Sequence, residues 1–398
     1  MSASWLLWSP LWVAALAAFG SSLYLVALTL CAAVERQTRR PVMRSSGHPT
    51  RFAVLVPAHN EEAVIERLLS SLSDVDYPAD SLDIYVIADN CDDSTELLAQ
   101  AAGVKVLVRR DAQLHGKGYA LRWALECLPL HEYDAVVIVD ADSRVARDFL
   151  SVLDGYMTRG AQAVQAYYDV LNTGTMAASL RFIAFALLHF VRPLGKSLFG
   201  GSAGLKGNGM AFSCRLLNMT KWRAFSVTED AEQHIHLLLH GVRVKFAPEA
   251  RLWAEMPASL GGARTQNLRW EAGRLSLARR WALPLLSLGV RRRSLAMIDT
   301  AAELVVPPLS AVVALAGLIS LAGWLLGNVA LLVTGVASLT GLGMHVVIGL
   351  ALAEAPFSVW RSLGIAPLYI VWKLWIYGQA LLGAGSQKWV RTPRVSAK

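Results

Sequence analysis

The sequence predicts an α/β domain inserted between membrane-spanning helices, with amphipathic helices lying at the membrane surface. Three observations predict it: uncharged apolar stretches towards both ends, short β-branched runs alternating with helical periods between them, and arginine clusters beside the apolar segments. Of the 398 residues, 54% are hydrophobic and 17% charged, too apolar for an ordinary soluble chain and too charged for one lying wholly in lipid. Residues 1–34 and 304–353 carry no Asp, Glu, Lys or Arg, so nearly all the charge falls between them.

The first apolar stretch, 1–34, is expected to be a transmembrane helix. Ala15, Ala17 and Ala18 resemble a leader-cleavage site, but the stretch lacks a basic start and runs too long for a leader. Arg36, Arg39, Arg40, Arg44 and Arg51 follow, so 35–50 reads as a basic linker held in the cytoplasm, with the N-terminus outside. The net charge of +8 includes these arginines and the run Arg291, Arg292, Arg293. Placed beside apolar segments, they suit anionic lipid headgroups and argue against nucleic acid. Cys31, Cys91, Cys127 and Cys214 are widely spaced, which suits reduced, mostly buried thiols.

From Arg51 the pattern alternates. Residues 52–56, 83–88, 104–108 and 135–139 read as strands, and 63–72, 95–102 and 119–128 as helices. Such alternation builds a parallel sheet whose ligands bind beyond the carboxyl ends of its strands. The apolar run 182–191 is short for a span and is flanked by Arg181, Arg192 and Lys196, so a membrane-surface or domain-packing helix is expected. Over 263–296, arginines interleave with Leu268, Trp270, Leu275, Leu277 and Trp281, as in an interfacial helix. Within 297–354 there is room for two spans, turning at Gly327-Asn328 and kinked by Pro307 and Pro308. The last apolar run, 365–382, has Lys373 at its middle and a basic tail after it, so 355–398 is expected to lie at the cytoplasmic interface. That makes three spans.

Five groups of residues carry chemistry. Asp140 and Asp142 close an apolar strand two positions apart, so both can reach one hard cation, although Asp-x-Asp also forms ordinary turns. Asp89 ends a strand and can accept from a base or ribose, while Asp93 can simply cap the next helix. His115-Gly116-Lys117-Gly118 opens a helix with a glycine-flanked cation, suited to phosphate or else facing solvent. Thr228-Glu229-Asp230 precedes a helical run and reads equally as a cap with acids in the first turn. Gln266, Arg269 and Trp270 share one helix face, an amide, a cation and an aromatic plate that suit a sugar and a diphosphate.

In order along the chain, Val56-Pro57-Ala58-His59-Asn60-Glu61-Glu62, Asp89, Asp140 with Asp142, Thr228-Glu229-Asp230 and Gln266/Arg269/Trp270 resemble the motif set of glycosyltransferase family 2. The resemblance runs from about Arg51 to Arg280 and is nearest the membrane-bound branch of cellulose, chitin and hyaluronan synthases and chitin-oligosaccharide synthases. It implies a GT-A-type domain over 51–262 that binds a nucleotide-sugar, most often a UDP-sugar, with Mg2+ or Mn2+. Asp142 and Asp140 would hold the metal. Asp89, Lys117, Asp140, Arg269 and Gln266 would hold the donor, Asp230 would be the general base with Glu229 beside it, and Trp270, Asn208 and Gly209 would line the acceptor site.

Trp389, Thr392 and Arg394 are similar to a gating loop of cellulose synthases. Where the family usually has two acids, this chain has Ala88-Asp89, and three spans are few for a one-subunit polymer pore. The implied enzyme is an inverting hexosyltransferase of the inner cell membrane with its catalytic domain in the cytoplasm. Its product would be an exported β-glycan or, as in ceramide glucosyltransferases, a glycolipid. Its partners would be membrane lipids and another copy or an export protein. A transporter or receptor with a nucleotide-binding domain is disfavoured by the uncharged spans, where only His345 and the Pro307-Pro308 kink could serve.

Overall fold

The computed structural model describes residues 4–42, 47–256 and 260–384. It begins with α1 (Ser4–Thr38), an uncharged helix until its last turn. One stripe of α1, including Ala15, Ala18, Ser22 and Leu25, is buried, while Leu16, Leu23 and Leu30 face outward.

The predicted alternation then forms: β1 (Phe52–Ala58), α2 (Ile65–Ser73), β2 (Leu82–Asp89), α3 (Thr95–Ala101), β3 (Lys105–Arg109), α4 (Lys117–Cys127) and β4 (Ala135–Ile138). These four strands pair in parallel, β3-β2-β1-β4. Residues 52–56 of β1 and all of β4 are buried, because helices cover both faces of a parallel sheet. After β4 come β5 (Ser143–Val145), α5 (Phe149–Met157), β6 (Ala163–Val170), α6 (Met176–Phe185) and α7 (Arg192–Leu198). β7 (Met210–Ser213), α8 (Cys214–Thr220), α9 (Glu229–Leu239) and β8 (Lys245–Ala254) complete an eight-stranded mixed sheet. β7 runs antiparallel to β4 and β6, which carries the sheet beyond its parallel half.

The loops leaving β1 and β2 brace each other at the carboxyl edge. Asn60 and Asn90 take left-handed φ values of 56° and 50°, a conformation asparagine tolerates better than most residues. Asn60 Oδ1 accepts from the Asp92 amide and Asn90 Oδ1 from the Asp111 amide, both at 2.8 Å. Asp93 takes the capping role, accepting from the Thr95 amide at 3.0 Å.

The remaining helices are α10 (Leu260–Arg291), α11 (Leu295–Val305), α12 (Leu309–Leu325), α13 (Val329–Leu352), α14 (Phe357–Ser362) and α15 (Ala366–Leu381). The turn between α12 and α13 falls where expected: Gly327 has φ 63° and Asn328 Oδ1 caps α13 by accepting from Leu331 at 3.1 Å. Pro307 and Pro308 do more than kink one span. Val306 and Pro308 are extended, as residues before and at prolines prefer, and α11 and α12 meet at a 66° break.

By length and composition Ser9–Thr38, Val329–Leu352 and the broken pair α11–α12 can each cross a membrane. So can Met176–Leu198, which joins α6 and α7 through the π-helical residues Ala186–Val191, but 78% of its apolar stretch is buried inside the protein. It is the domain-packing helix of the two expected alternatives, longer than the sequence indicated. A Cβ at Gly195 would sit 2.2 Å from the Leu28 carbonyl oxygen, so glycine lets this helix lie directly on α1. His345 is fully buried and bonds Thr29 Oγ1 at 2.6 Å, an interior contact between α13 and α1.

Lys373 is paired within the protein. Its Nζ donates to Asn267 Oδ1 and Glu271 Oε1 of α10, each at 2.9 Å. The charge at the middle of this helix clamps α15 to α10. Lys373→Met should therefore take from Glu271, 8% exposed, its nearer cation, leaving Arg274 at 3.7 Å, and destabilise the protein by about 2 kcal/mol. Adding Glu271→Gln should recover much of that loss, measured as the unfolding midpoint in detergent.

Candidate active site

A cleft of about 1440 Å³ opens at the carboxyl edge of the parallel strands and brings together Asp89, Lys117, Asp140, Asp142, Glu229 and Asp230. Gln266, Arg269 and Trp270 of α10 line its other wall. Residues more than a hundred positions apart thus meet because the acids end strands or start helices at one edge.

Asp89 ends β2 opposite Arg109, the last residue of β3. Arg109 donates to Asp89 Oδ1 at 2.6 Å, to Asp111 Oδ2 at 2.9 Å and to the Leu114 carbonyl at 2.7 Å. The arginine therefore holds the carboxylate and anchors the loop that leads to Lys117. Sequence reading missed Arg109; its signal was a basic residue closing the strand next to the one that Asp89 closes.

Gly116, at φ 121° and ψ 158°, precedes α4 in a conformation reserved for glycine. Gly118 serves packing, since a Cβ there would come within 2.2 Å of the Ala224 carbonyl oxygen. Lys117 does not face solvent. Its Nζ bonds Asp140 Oδ1 and the Gly207 carbonyl and lies 3.8 Å from Glu229 Oε1. Burial alone would lower its pKa, but Asp140, Glu229 and Asp230 raise it above the ordinary lysine value.

Asn208 and Gly209, expected to line an acceptor site, do not reach the cleft. Asn208 is fully buried; its Oδ1 accepts from the Asp140 amide at 3.0 Å and its Nδ2 donates to Ser143 Oγ at 2.7 Å. It is a bracket behind the Asp140–Asp142 turn. Gly209 packs into the core, where a Cβ would lie 2.4 Å from Leu252 Cδ2. The wall is formed by their neighbours Lys206 and Gly207, with Asp230 Oδ2 3.5 Å from where a Gly207 Cβ would stand.

Glu229 and Asp230 open α9, and Thr228 makes no side-chain cap. Burial drives both carboxyls up. Lys117 partly offsets this for Glu229, but Asp230 and Asp140 add to it, leaving Glu229 pushed up to about 7. For Asp230, the Ala231 amide, Lys117 and Lys206 offset burial only in part, so its pKa is also raised. Two buried carboxyls whose affinity for protons is raised in this way are suited to moving protons.

On α10, Arg269 is lowered by burial and supported by the charge of Glu229. Gly273, one turn further on, was not anticipated. A Cβ there would meet Thr228 Cγ2 at 2.5 Å, so only glycine lets α10 close on the acidic turn. Arg181 of α6 was also missed as a site residue: it lines the cleft, donates to Gln266 Oε1 at 3.1 Å and stands 5.9 Å from the Trp270 ring centre. Trp389, Thr392 and Arg394 lie outside the described residues.

Among the described residues no group of three or more His, Cys, Asp or Glu side chains could hold a metal. Asp140 and Asp142 supply two hard oxygen donors on the cleft wall. That fits Mg2+ or Mn2+ bound through one or two carboxylates, with water and substrate phosphate completing the shell.

A mixed α/β sheet with an acid-lined cleft at the edge of its parallel strands is a GT-A-like glycosyltransferase fold. The structure matches a mannosyltransferase from Pyrobaculum calidifontis, solved with GDP-Man and Mn2+, at TM-score 0.55 and 18% identity over 84% of this chain and 97% of that one. Residues 48–273 match the family described as glycosyltransferase like family 2. The chain belongs to glycosyltransferase family 2.

It is 29% identical over 194 residues to the beta-monoglucosyldiacylglycerol synthase of Trichormus variabilis, covering 47% of this chain and 41% of that protein. It is 25% identical to glucomannan 4-beta-mannosyltransferase 7 of Arabidopsis thaliana, over 58% of this chain and 43% of that protein. It is also 26% identical to the poly-beta-1,6-N-acetyl-D-glucosamine synthase of Staphylococcus aureus, over 55% and 53%. The chain thus spans about half the length of the curated relatives it matches.

Gly273→Val should push α10 away from Thr228 and cost about tenfold in sugar-transfer turnover, roughly 1.4 kcal/mol of barrier. Donor-hydrolysis and transfer assays on the purified variant check this.

Proposed function

We propose that this protein is a membrane-bound, inverting, divalent-cation-dependent transferase that moves a hexose from a nucleotide-sugar, of the UDP type, onto a lipid hydroxyl at the cytoplasmic membrane face. The observation that carries the reading is the shape of the cleft. Beyond the acids it continues along Pro308, Leu309, Val313, Val346, Ala366 and Ile370, an apolar arm bounded by α12, α13 and α15. Hydrocarbon fits such a wall, whereas a hydroxyl-rich glycan would lose hydrogen bonds to water there.

Asp89, held by Arg109, receives the nucleotide, and Lys117 lies where the diphosphate enters. Asp142 and Asp140 would hold the cation, which when bound offsets negative charge on the diphosphate. Asp230 takes the proton from the acceptor hydroxyl. The hydroxyl oxygen then bonds to the anomeric carbon from the face opposite the nucleotide, while the bond from that carbon to the diphosphate oxygen breaks and its electron pair leaves with the diphosphate. One displacement inverts the centre, so an α-linked donor yields a β-linked product. Arg269 stabilises the leaving charge, and the neighbouring Glu229 and the burial of the pair raise the proton affinity of the base.

A glycan product retains one specific support, Trp270 on the cleft wall, a plate on which a sugar face can stack. The two readings separate on product size: an organic-extractable, singly glycosylated lipid supports the first, and a glycosidase-sensitive polymer the second.

Asp230→Asn should abolish transfer and leave cation-dependent UDP binding intact, since the base acts on the acceptor. Asp142→Asn should weaken that binding; equal UDP affinity with and without cation in the wild type would remove the metal role. Because the base works only when deprotonated and burial raises its carboxyl above the ordinary aspartate value, turnover should fall as pH is lowered and level off on the alkaline side, with a midpoint above that of a free aspartate. A midpoint no higher than that of a free aspartate would refute that role.

A further inference from the structure

Among the described residues, the buried Arg181 on the cleft wall has no anion within ion-pair distance. Arg181 is 3% exposed and lines the cleft. Its Nη1 meets only uncharged atoms, Gln266 Oε1 at 3.1 Å and Met256 Sδ at 3.5 Å. Among the described residues its Nη2 has no hydrogen-bond partner. The titratable groups that feel its charge are Tyr369 and Tyr168. On the same wall Lys117 pairs with Asp140, Arg192 with Glu303, Arg274 with Glu271 and Lys373 with Glu271.

Burying an unpaired guanidinium is costly, and its planar fork matches phosphate or carboxylate with two parallel hydrogen bonds. A neutral hydroxyl acceptor would leave the charge uncompensated. The position of Arg181 also selects the ligand. Tyr168 lies within electrostatic reach of Asp142 and Asp140, at the donor end, and Tyr369 belongs to α15, at the apolar arm. The guanidinium stands 5.9 Å from the ring centre of Trp270, the aromatic plate of the acceptor side.

We propose that the acceptor is an anionic lipid. A phosphate or carboxylate of its headgroup pairs with Arg181, its hydrocarbon chain lies in the apolar arm, and its hydroxyl is thereby presented to Asp230. This rests on the glycolipid reading above and narrows it from lipids in general to those with a negative headgroup.

The test uses the full chain in detergent micelles and two fluorescent probes with identical acyl chains, diacylglycerol and phosphatidic acid, the latter having no alcohol hydroxyl to glycosylate and so reporting the binding of anion and acyl chain alone. The wild type should bind phosphatidic acid about tenfold more tightly, the scale of a charge-assisted pair. Arg181→Gln should erase that preference, Arg181→Lys should keep part of it, and Val313→Phe, which narrows the apolar arm, should weaken both probes. Equal binding of the two probes by the wild type, or an undiminished preference in Arg181→Gln, would overturn the proposal. So would glycerol 3-phosphate displacing phosphatidic acid at equal concentration, since a soluble anion would then be the ligand. Product analysis separates the two levels. Polymer as the sole product sinks the glycolipid reading and the acceptor assignment with it, whereas a glycolipid product without the phosphatidic acid preference sinks only the role of Arg181.

Discussion

Asp140, Asp142, Glu229 and Asp230 crowd one cleft, and like charges brought together repel one another unless a cation joins them. Lys117 is that cation. It reaches Asp140 from the start of α4, takes the Gly207 carbonyl, and lies near Glu229 at the start of α9. One side chain therefore ties a strand end, a glycine loop and a helix start into a single site. The glycines around it follow from this: Gly116 turns the chain into α4, Gly118 lets that helix lie against Ala224, and Gly207 leaves room beside Asp230. The same balance of burial and charge leaves Glu229 near 7 and Asp230 raised.

A second set of buried charges binds the catalytic sheet to the apolar helices. Lys196 of α7 pairs with Asp299 at 2.9 Å and Glu303 at 2.5 Å on α11, and Tyr24 of α1 donates to Asp299 at 2.8 Å. Helix α10 works from the other side. Gln266, Arg269 and Trp270 line the cleft, and Asn267 and Glu271, which line it too, hold Lys373 of α15. A shift of α15 would be felt within a turn of the acidic site, so the apolar arm and the reacting groups belong to one packed unit.

The sequence by itself determined the alternating elements, the carboxyl-edge location of the acids and the turn at Gly327-Asn328. These depend on local periodicity, strand-end position and turn chemistry, which a linear reading contains. The motif residues of α10 were legible for the same reason, as an i, i+3, i+4 face. What only the tertiary structure decided was which polar groups satisfy one another. Lys373 read as a charge suited to the membrane interface, and its partner Glu271, 102 residues away, could not be seen from the sequence. Asn208 looked like a cleft residue and proved to be a buried bracket, because the register of β7 on β4 turns it behind Asp140. Arg109, Arg181 and Gly273 carried no motif of their own. Their importance comes from a partner or a close approach across the fold, and such pairings are set by packing between distant segments, which no local pattern encodes.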